Sequence, residues 1–101
     1  MAKFRKKPVV IEAFQMTRER RYDNSEWPSW LHKAWNMEPD EDGCLFCVDD
    51  DGMIGPGENL RITTLEGVYA VTFDDYIIQG VKGELYPCRE DIFLMTYERV
   101  E

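Results

Sequence analysis

Apolar and polar positions along the chain change period several times, and each change marks an element. Pro8-Val9-Val10-Ile11-Glu12-Ala13-Phe14-Gln15 is β-branched and mostly apolar, which predicts a strand buried on at least one face. Asn24 or Ser25 then caps a helix running to about Asn36. Within it Trp27, Trp30, Leu31, Ala34 and Trp35 fall at i, i+3, i+4, i+7 and i+8, one helical face whose ordinary role is core. Pro28 fits the first turn, where its missing N–H has no partner to lose. Residues 37–43 form an acidic loop, 44–49 a short strand, and 50–59 an irregular stretch broken by Gly52, Gly55, Pro56 and Gly57.

A meander follows. Residues 60–65 and 68–73 flank Glu66-Gly67, a two-residue loop with glycine where a positive φ is wanted. Residues 76–80 and 84–86 flank Val81-Lys82-Gly83, a second hairpin. Pro87 is expected to end the ladder, and 89–100 to form a terminal helix burying Ile92, Phe93, Thr96, Tyr97 and Val100. The pattern predicts one α+β domain over 1–101: a curled antiparallel sheet of five or six strands, a meander, with two short helices packed on it.

Composition supports a folded core. A hydrophobic content of 44% with 13% aromatic residues excludes a disordered acidic tail. No apolar run approaches the roughly 18 residues of a membrane span or resembles a signal peptide, so a cytosolic protein with no membrane partner is expected. Three cysteines then read as reduced thiols and not as a disulfide framework.

Charge changes the picture further. Lys3, Arg5, Lys6, Lys7, Arg18, Arg20 and Arg21 face only Glu12 and Glu19 in residues 1–21, whereas residues 22–101 carry a net −13 within an overall −8. A body this acidic repels phosphate backbones, so direct binding to duplex nucleic acid is not expected. The basic segment reads as a strand edge protected by lysines, with a phosphate site as the sharper alternative.

Several patterns approach catalytic or metal chemistry and stop short of it. Cys44-Leu45-Phe46-Cys47 suggests a zinc site completed by Cys88 and His32. On a strand, however, a separation of three sends the two thiols to opposite faces. Residues 47–58 place Asp49, Asp51, Gly52 and Glu58 as in a calcium loop, but Cys47 stands where the first oxygen ligand belongs and Gly55-Pro56-Gly57 forbids the exiting helix. Asp74-Asp75 is a carboxylate pair whose ordinary role is turn chemistry. No nucleophile elbow, phosphate-cradling glycine loop or zinc-protease motif occurs, so no catalytic residue, metal or cofactor is assigned.

Recognition remains. Lys82 at a hairpin tip, Arg89 at the start of the last helix, and Tyr76 and Tyr86 on the strands between them combine cations with aromatic faces, with Asp75 at the adjoining turn. Such a set suits a small phosphorylated molecule that carries a base.

The segment 60–100, with the opening Phe4-Arg5-Lys6-Lys7-Pro8-Val9-Val10-Ile11-Glu12-Ala13, resembles a widespread set of small phage and prophage proteins. These begin with a Lys-Lys-Pro-Val strand and end in a run similar to Asp75-Tyr76-Ile77-Ile78, Gly83-Glu84-Leu85-Tyr86-Pro87-Cys88, Asp91-Ile92-Phe93 and Tyr97-Glu98 here. Phe73-Asp74-Asp75-Tyr76 is similar to the Pro-Gly-Asp-Tyr-Gly motif of a related domain, with Phe73-Asp74 in place of Pro-Gly and Ile77 in place of the final Gly. Residues 37–59 fall outside the resemblance and read as an insertion. The resemblance implies a phage accessory protein in the host bacterial cytoplasm. The expected role is to bind and sequester a host factor, either a host protein or a small phosphorylated ligand such as a nucleotide-derived immune signal. An acidic nucleic-acid mimic, or an adaptor of the virion or replication machinery, are the alternatives, and homo-oligomerisation stays open.

Overall fold

A computed structural model describes residues 1–5, 7–55 and 57–100. Along these residues run β1 (Glu12–Gln15), α1 (Arg18–Tyr22), a 3₁₀ turn (Asn24–Glu26), α2 (Ser29–Trp35), β2 (Leu45–Val48), β3 (Asn59–Thr64), β4 (Gly67–Val71), β5 (Tyr76–Gln79), β6 (Leu85–Cys88) and α3 (Glu90–Thr96). The architecture is α+β, but the strands form two antiparallel sheets, ordered β1-β5-β6 and β2-β3-β4, and not one curled meander. Both expected hairpins are present, β3–β4 around Glu66 and β5–β6 around Lys82-Gly83, each in its own sheet.

The chain changes sheet at the corner between β4 and β5. Asp74 adopts φ 74, and the Asp75 carboxylate accepts bonds from Thr72 N at 2.9 Å and Thr72 Oγ1 at 3.0 Å. Asp74 N donates to Met16 O and Met16 N to Asp75 O, both at 2.8 Å, which delivers β5 to β1 instead of β4. A bend of this kind is how strands leave one sheet for another.

One core holds the two sheets together. Leu45, Cys47, Leu60, Ile62 and Val71 line the inner face of β2-β3-β4 and meet Ile77 and Leu85 of the other sheet. Leu31 and Ala34 of α2, with Met16 and Trp27, complete the cluster, and Phe14 and Trp30 pack on its margin. Burying each large side chain here stabilises the fold by roughly 1.5–3 kcal/mol. Period-2 alternation explains the selection, because Leu60 and Ile62 point inward while Arg61 and Thr63 stay partly exposed.

Several boundaries differ from the pattern in the sequence. The first strand spans four residues and not eight, because Glu12 pairs with Gln79 and β5 ends there in the Gly80 turn. Val9 and Val10 therefore remain exposed, and Lys6 lies outside the described residues. The helix expected from Asn24 to Asn36 is broken at Trp27, held extended (φ −63, ψ 134) by the proline that follows it, so Pro28 becomes the N-cap of α2. Helix α1, capped by Thr17, carries no apolar stripe to announce it and makes a third helix where two were expected. Pro87 does not end the ladder; it pairs with Ile77 within β6, which is tolerable on an edge strand. Helix α3 stops at Thr96 and fully buries no residue: Ile92 and Val100, expected inside, are exposed, as is Thr96. Phe93 and Tyr97 are half-buried. The segment 37–59 supplies β2, with Cys44 and Leu45 at 0% exposure, so it is built into the core.

Candidate functional site

Three arginines on α1 spread into three environments. Arg18 lies over the Phe73 ring at 4.2 Å, and Arg20 lies over Phe14 at 4.5 Å while donating to Gln15 O and Glu26. Arg21 turns inward. Its Nη2 donates to Cys47 Sγ at 2.7 Å and to Gly57 O at 3.1 Å, and its Nε is buried with no partner among the described residues. Its guanidinium carbon sits 5.7 Å from the Trp35 ring and 5.6 Å from that of Tyr22.

Arg21 and Trp35 form a shared wall between two clefts, of about 370 Å³ and about 270 Å³. The larger is lined on its other sides by Met37, Phe46, Cys47 and Ile54, with Gly55 and Gly57 at the rim, and no carboxylate is among its described lining residues. Gly57 has to be glycine, since a Cβ there would collide with the Val48 carbonyl. In a chain of net −8 this is a cation held beside aromatic faces. Among the described residues Arg21 makes no ion pair; those seen join Arg20 to Glu26 and Arg89 to Asp91. Burial pushes the Cys47 thiol up and Arg21 pulls it partly back, so the sulfur stays protonated and acts as a weak acceptor. The cleft can hold an anion against the guanidinium and a flat ring against the indole or phenyl faces.

The residues expected to form a site near the C-terminus do not all converge. Lys82 is exposed in the β5–β6 turn and Arg89 is exposed at the opposite end of β6, separated by about 13 Å of strand at the usual rise. Arg89 pairs with Asp91 at 3.1 Å in solvent, a contact of little energetic weight. Asp75 is consumed by its bonds to Thr72. Tyr76 stacks on Phe93 at 3.8 Å with an interplanar angle of 9°, and Phe93 stacks on Tyr97 at 5.0 Å, so these rings hold α3 to its sheet.

Tyr86 lies on the same face, its pKa pushed up to about 12, chiefly by burial and then by a hydrogen bond with Tyr97. The unfolded chain ionises this phenol near 10, so the folded state holds the proton longer and stability falls as pH climbs from about 10 to about 12. Denaturant melts across that window should show the decline, and Tyr86→Phe should flatten it; equal slopes in both proteins would refute the assignment.

The cysteines part company. Cys44 Sγ donates to Met37 O at 3.3 Å beneath the acidic loop, Cys47 faces Arg21, and Cys88 sits at the end of β6. The His32 ring lies 5.7 Å from Trp27. The Asp49 carboxylate accepts bonds from the N–H groups of Asp51 and Met53, both at 2.9 Å, in a turn closed by the Val48–Ile54 bridge. Among the described residues no three metal-ligating side chains come together.

A third cleft, of about 410 Å³, opens between the two sheets. Leu65, Glu66 and Tyr69 of the β3–β4 hairpin form one wall, Glu84, Tyr86 and Pro87 the other, and Asp42 lies at its margin. The sequence does not announce the larger Arg21 cleft or the cleft between the sheets, because each joins segments far apart in the chain. The available hint of the first was a run of three arginines behind the Thr17 cap in an otherwise acidic protein.

Comparison with known proteins finds no matching family model, no matching curated protein and no matching solved structure. No described helix is long and apolar enough to cross a membrane.

Proposed function

We propose that this is a phage accessory protein that binds, without transforming it, a small anionic molecule carrying a planar ring, and so withholds a nucleotide-like signal from its host. The observation that carries the reading is Arg21: a guanidinium that makes no ion pair among the described residues, set beside Trp35 in a cleft whose described lining holds no carboxylate, within a strongly acidic chain. Charge-assisted bonds to phosphate favour such a guanidinium, and the aromatic walls would receive the base. The phage setting rests on the resemblance of the opening and closing segments, and host bacterial cytoplasm follows from that setting.

The test is to purify the protein from phage-infected host cells, denature it and examine the filtrate by mass spectrometry. A phosphorylated, ultraviolet-absorbing compound is expected at close to one per chain. Arg21→Gln should lower its yield by roughly tenfold or more, as the loss of a charge-assisted bond implies. Circular dichroism should show that variant still folded. Lys82→Ala and Arg89→Ala should retain the compound. An empty filtrate from the unaltered protein, or loss through Lys82 and Arg89 with Arg21 irrelevant, would sink the reading.

An acidic-mimic reading has its own support in the exposed carboxylates of Glu38, Asp40, Glu41 and Asp42. In that case the partner is a basic host protein, bound with steep salt sensitivity and no small molecule in the filtrate.

A further inference from the structure

Residues 3–10 carry Lys3, Arg5, Lys6 and Lys7, with no carboxylate anywhere before Glu12. Interleaved with these cations, Phe4, Val9 and Val10 are 95%, 49% and 76% exposed. Apolar side chains with strand propensity gain nothing from water and would gain from a surface to cover them. The cleft between the sheets offers the complement: Asp42, Glu66 and Glu84 supply negative charge, and Leu65, Tyr69 and Tyr86 supply apolar walls. It is distinct from the Arg21 cleft.

The arm does not fill the cleft of its own chain, since Phe4, Val9 and Val10 stay exposed. β1 is antiparallel to β5, and β5 to β6, so β1 runs parallel to β6. Glu12, Gln79 and Leu85 share one row of the sheet, so the chain upstream of Glu12 leaves past Leu85 on the Glu84 side, away from Tyr86 and Pro87. Doubling back onto Tyr86 and Pro87 would take a sharp reversal between Lys7 and Glu12. That stretch is Pro8-Val9-Val10-Ile11, which favours extended backbone, and no glycine, asparagine or aspartate precedes Glu12 to make the turn. A second copy related by a two-fold axis has no such constraint, because each arm then reaches the other's cleft in a self-complementary exchange.

We infer that the protein forms a two-fold dimer in which residues 3–10 of each copy lie in the acidic, tyrosine-walled cleft of the other. Opposite charges hold the arm in register, and Phe4, Val9 and Val10 cover Leu65, Tyr69 and Tyr86. Sedimentation equilibrium of the full chain should show a dimer whose dissociation constant rises at least about tenfold between roughly 0.05 and 0.5 M salt, since exposed charge pairs are screened. Lys3→Glu with Arg5→Glu and Lys7→Glu reverses the arm, and Asp42→Lys with Glu66→Lys reverses the cleft. All five positions are exposed, and thermal melts verify that both variants fold. Each variant alone should be monomeric, and an equimolar mixture should regain a dimer, because both arm–cleft pairs are again opposite in charge. A wild-type monomer overturns the inference, including one whose arm amides are protected by folding back. So does a dimer that survives arm reversal, or a mixture of folded variants that stays monomeric.

Discussion

Trp27→Ala should lower stability by about 3–5 kcal/mol, a large share of what a domain of this size possesses. The indole is 6% exposed at the joint between the 3₁₀ turn and α2, and it touches three things at once. Its Nε1 donates to Arg20 O at 2.7 Å, which ties the end of α1 to the core. Its ring meets Trp35 edge-on at 5.7 Å and the His32 ring at the same separation. Truncation leaves a cavity beneath α2, frees the Arg20 carbonyl, and loosens the helix that aims Arg21. Trp27→Phe keeps most of the apolar surface and loses the hydrogen bond, for about 1–2 kcal/mol. Denaturant melts of both variants measure the difference. An alanine variant within about 1 kcal/mol of wild type would mean that Trp27 is not the joint described here.

How this fold is encoded explains what the sequence discloses. The turns of the two hairpins are legible because their signal is local: Gly67 and Gly83 adopt φ 135 and 85, where side chains are strained, although the first loop is Leu65-Glu66, one residue earlier than expected, and Gly67 opens β4. The strands flanking them follow from alternation, and the tryptophan stripe locates α2. Which hairpin joins which sheet is not local. It is decided where Asp75 caps Thr72 and Met16 exchange bonds with the Asp74–Asp75 corner, a meeting of residues far apart in sequence. A turn that continues a meander and one that changes sheets share the same residue types. Helix α1 was invisible for another reason: three arginines make their contacts from different sides, so no stripe forms.

The same distinction governs the candidate site. Lys82, Arg89, Tyr76 and Tyr86 cluster in sequence, yet a hairpin carries its tip and its base in opposite directions, and the two cations are separated while the rings become packing. In the sequence Arg21 belongs to one basic segment with the N-terminal lysines. Its distinct setting depends on Cys47 of β2, Trp35 of α2 and Gly57 of the β2–β3 loop, which have no spacing relation to it.

Helix α3 fully buries none of its residues, and Phe93→Ala should detach it. Its seven residues are too few to be helical alone. Among the described residues it is held by Phe93 stacked on Tyr76, by the contact of Tyr97 with Tyr86, and by a bond from Gln15 Nε2 to Glu90 Oε2 at 2.6 Å. Removing a ring that is stacked but not enclosed should cost about 2–4 kcal/mol, somewhat less than a fully buried one. The loss should fall locally: the main core lies on the other side of the sheet, around Ile77 and Leu85, and Phe93 does not belong to it. Native-state hydrogen exchange should therefore show the Phe93 and Tyr97 amides, bonded to Arg89 O and Phe93 O, losing protection while Ile62 and Leu60 keep theirs. The high-pH decline in stability attributed to Tyr86 should shrink in the same variant, because Tyr97 leaves with the helix and water reaches the phenol. Equal loss of protection across α3 and β3 would show instead that the helix and the core unfold as one unit.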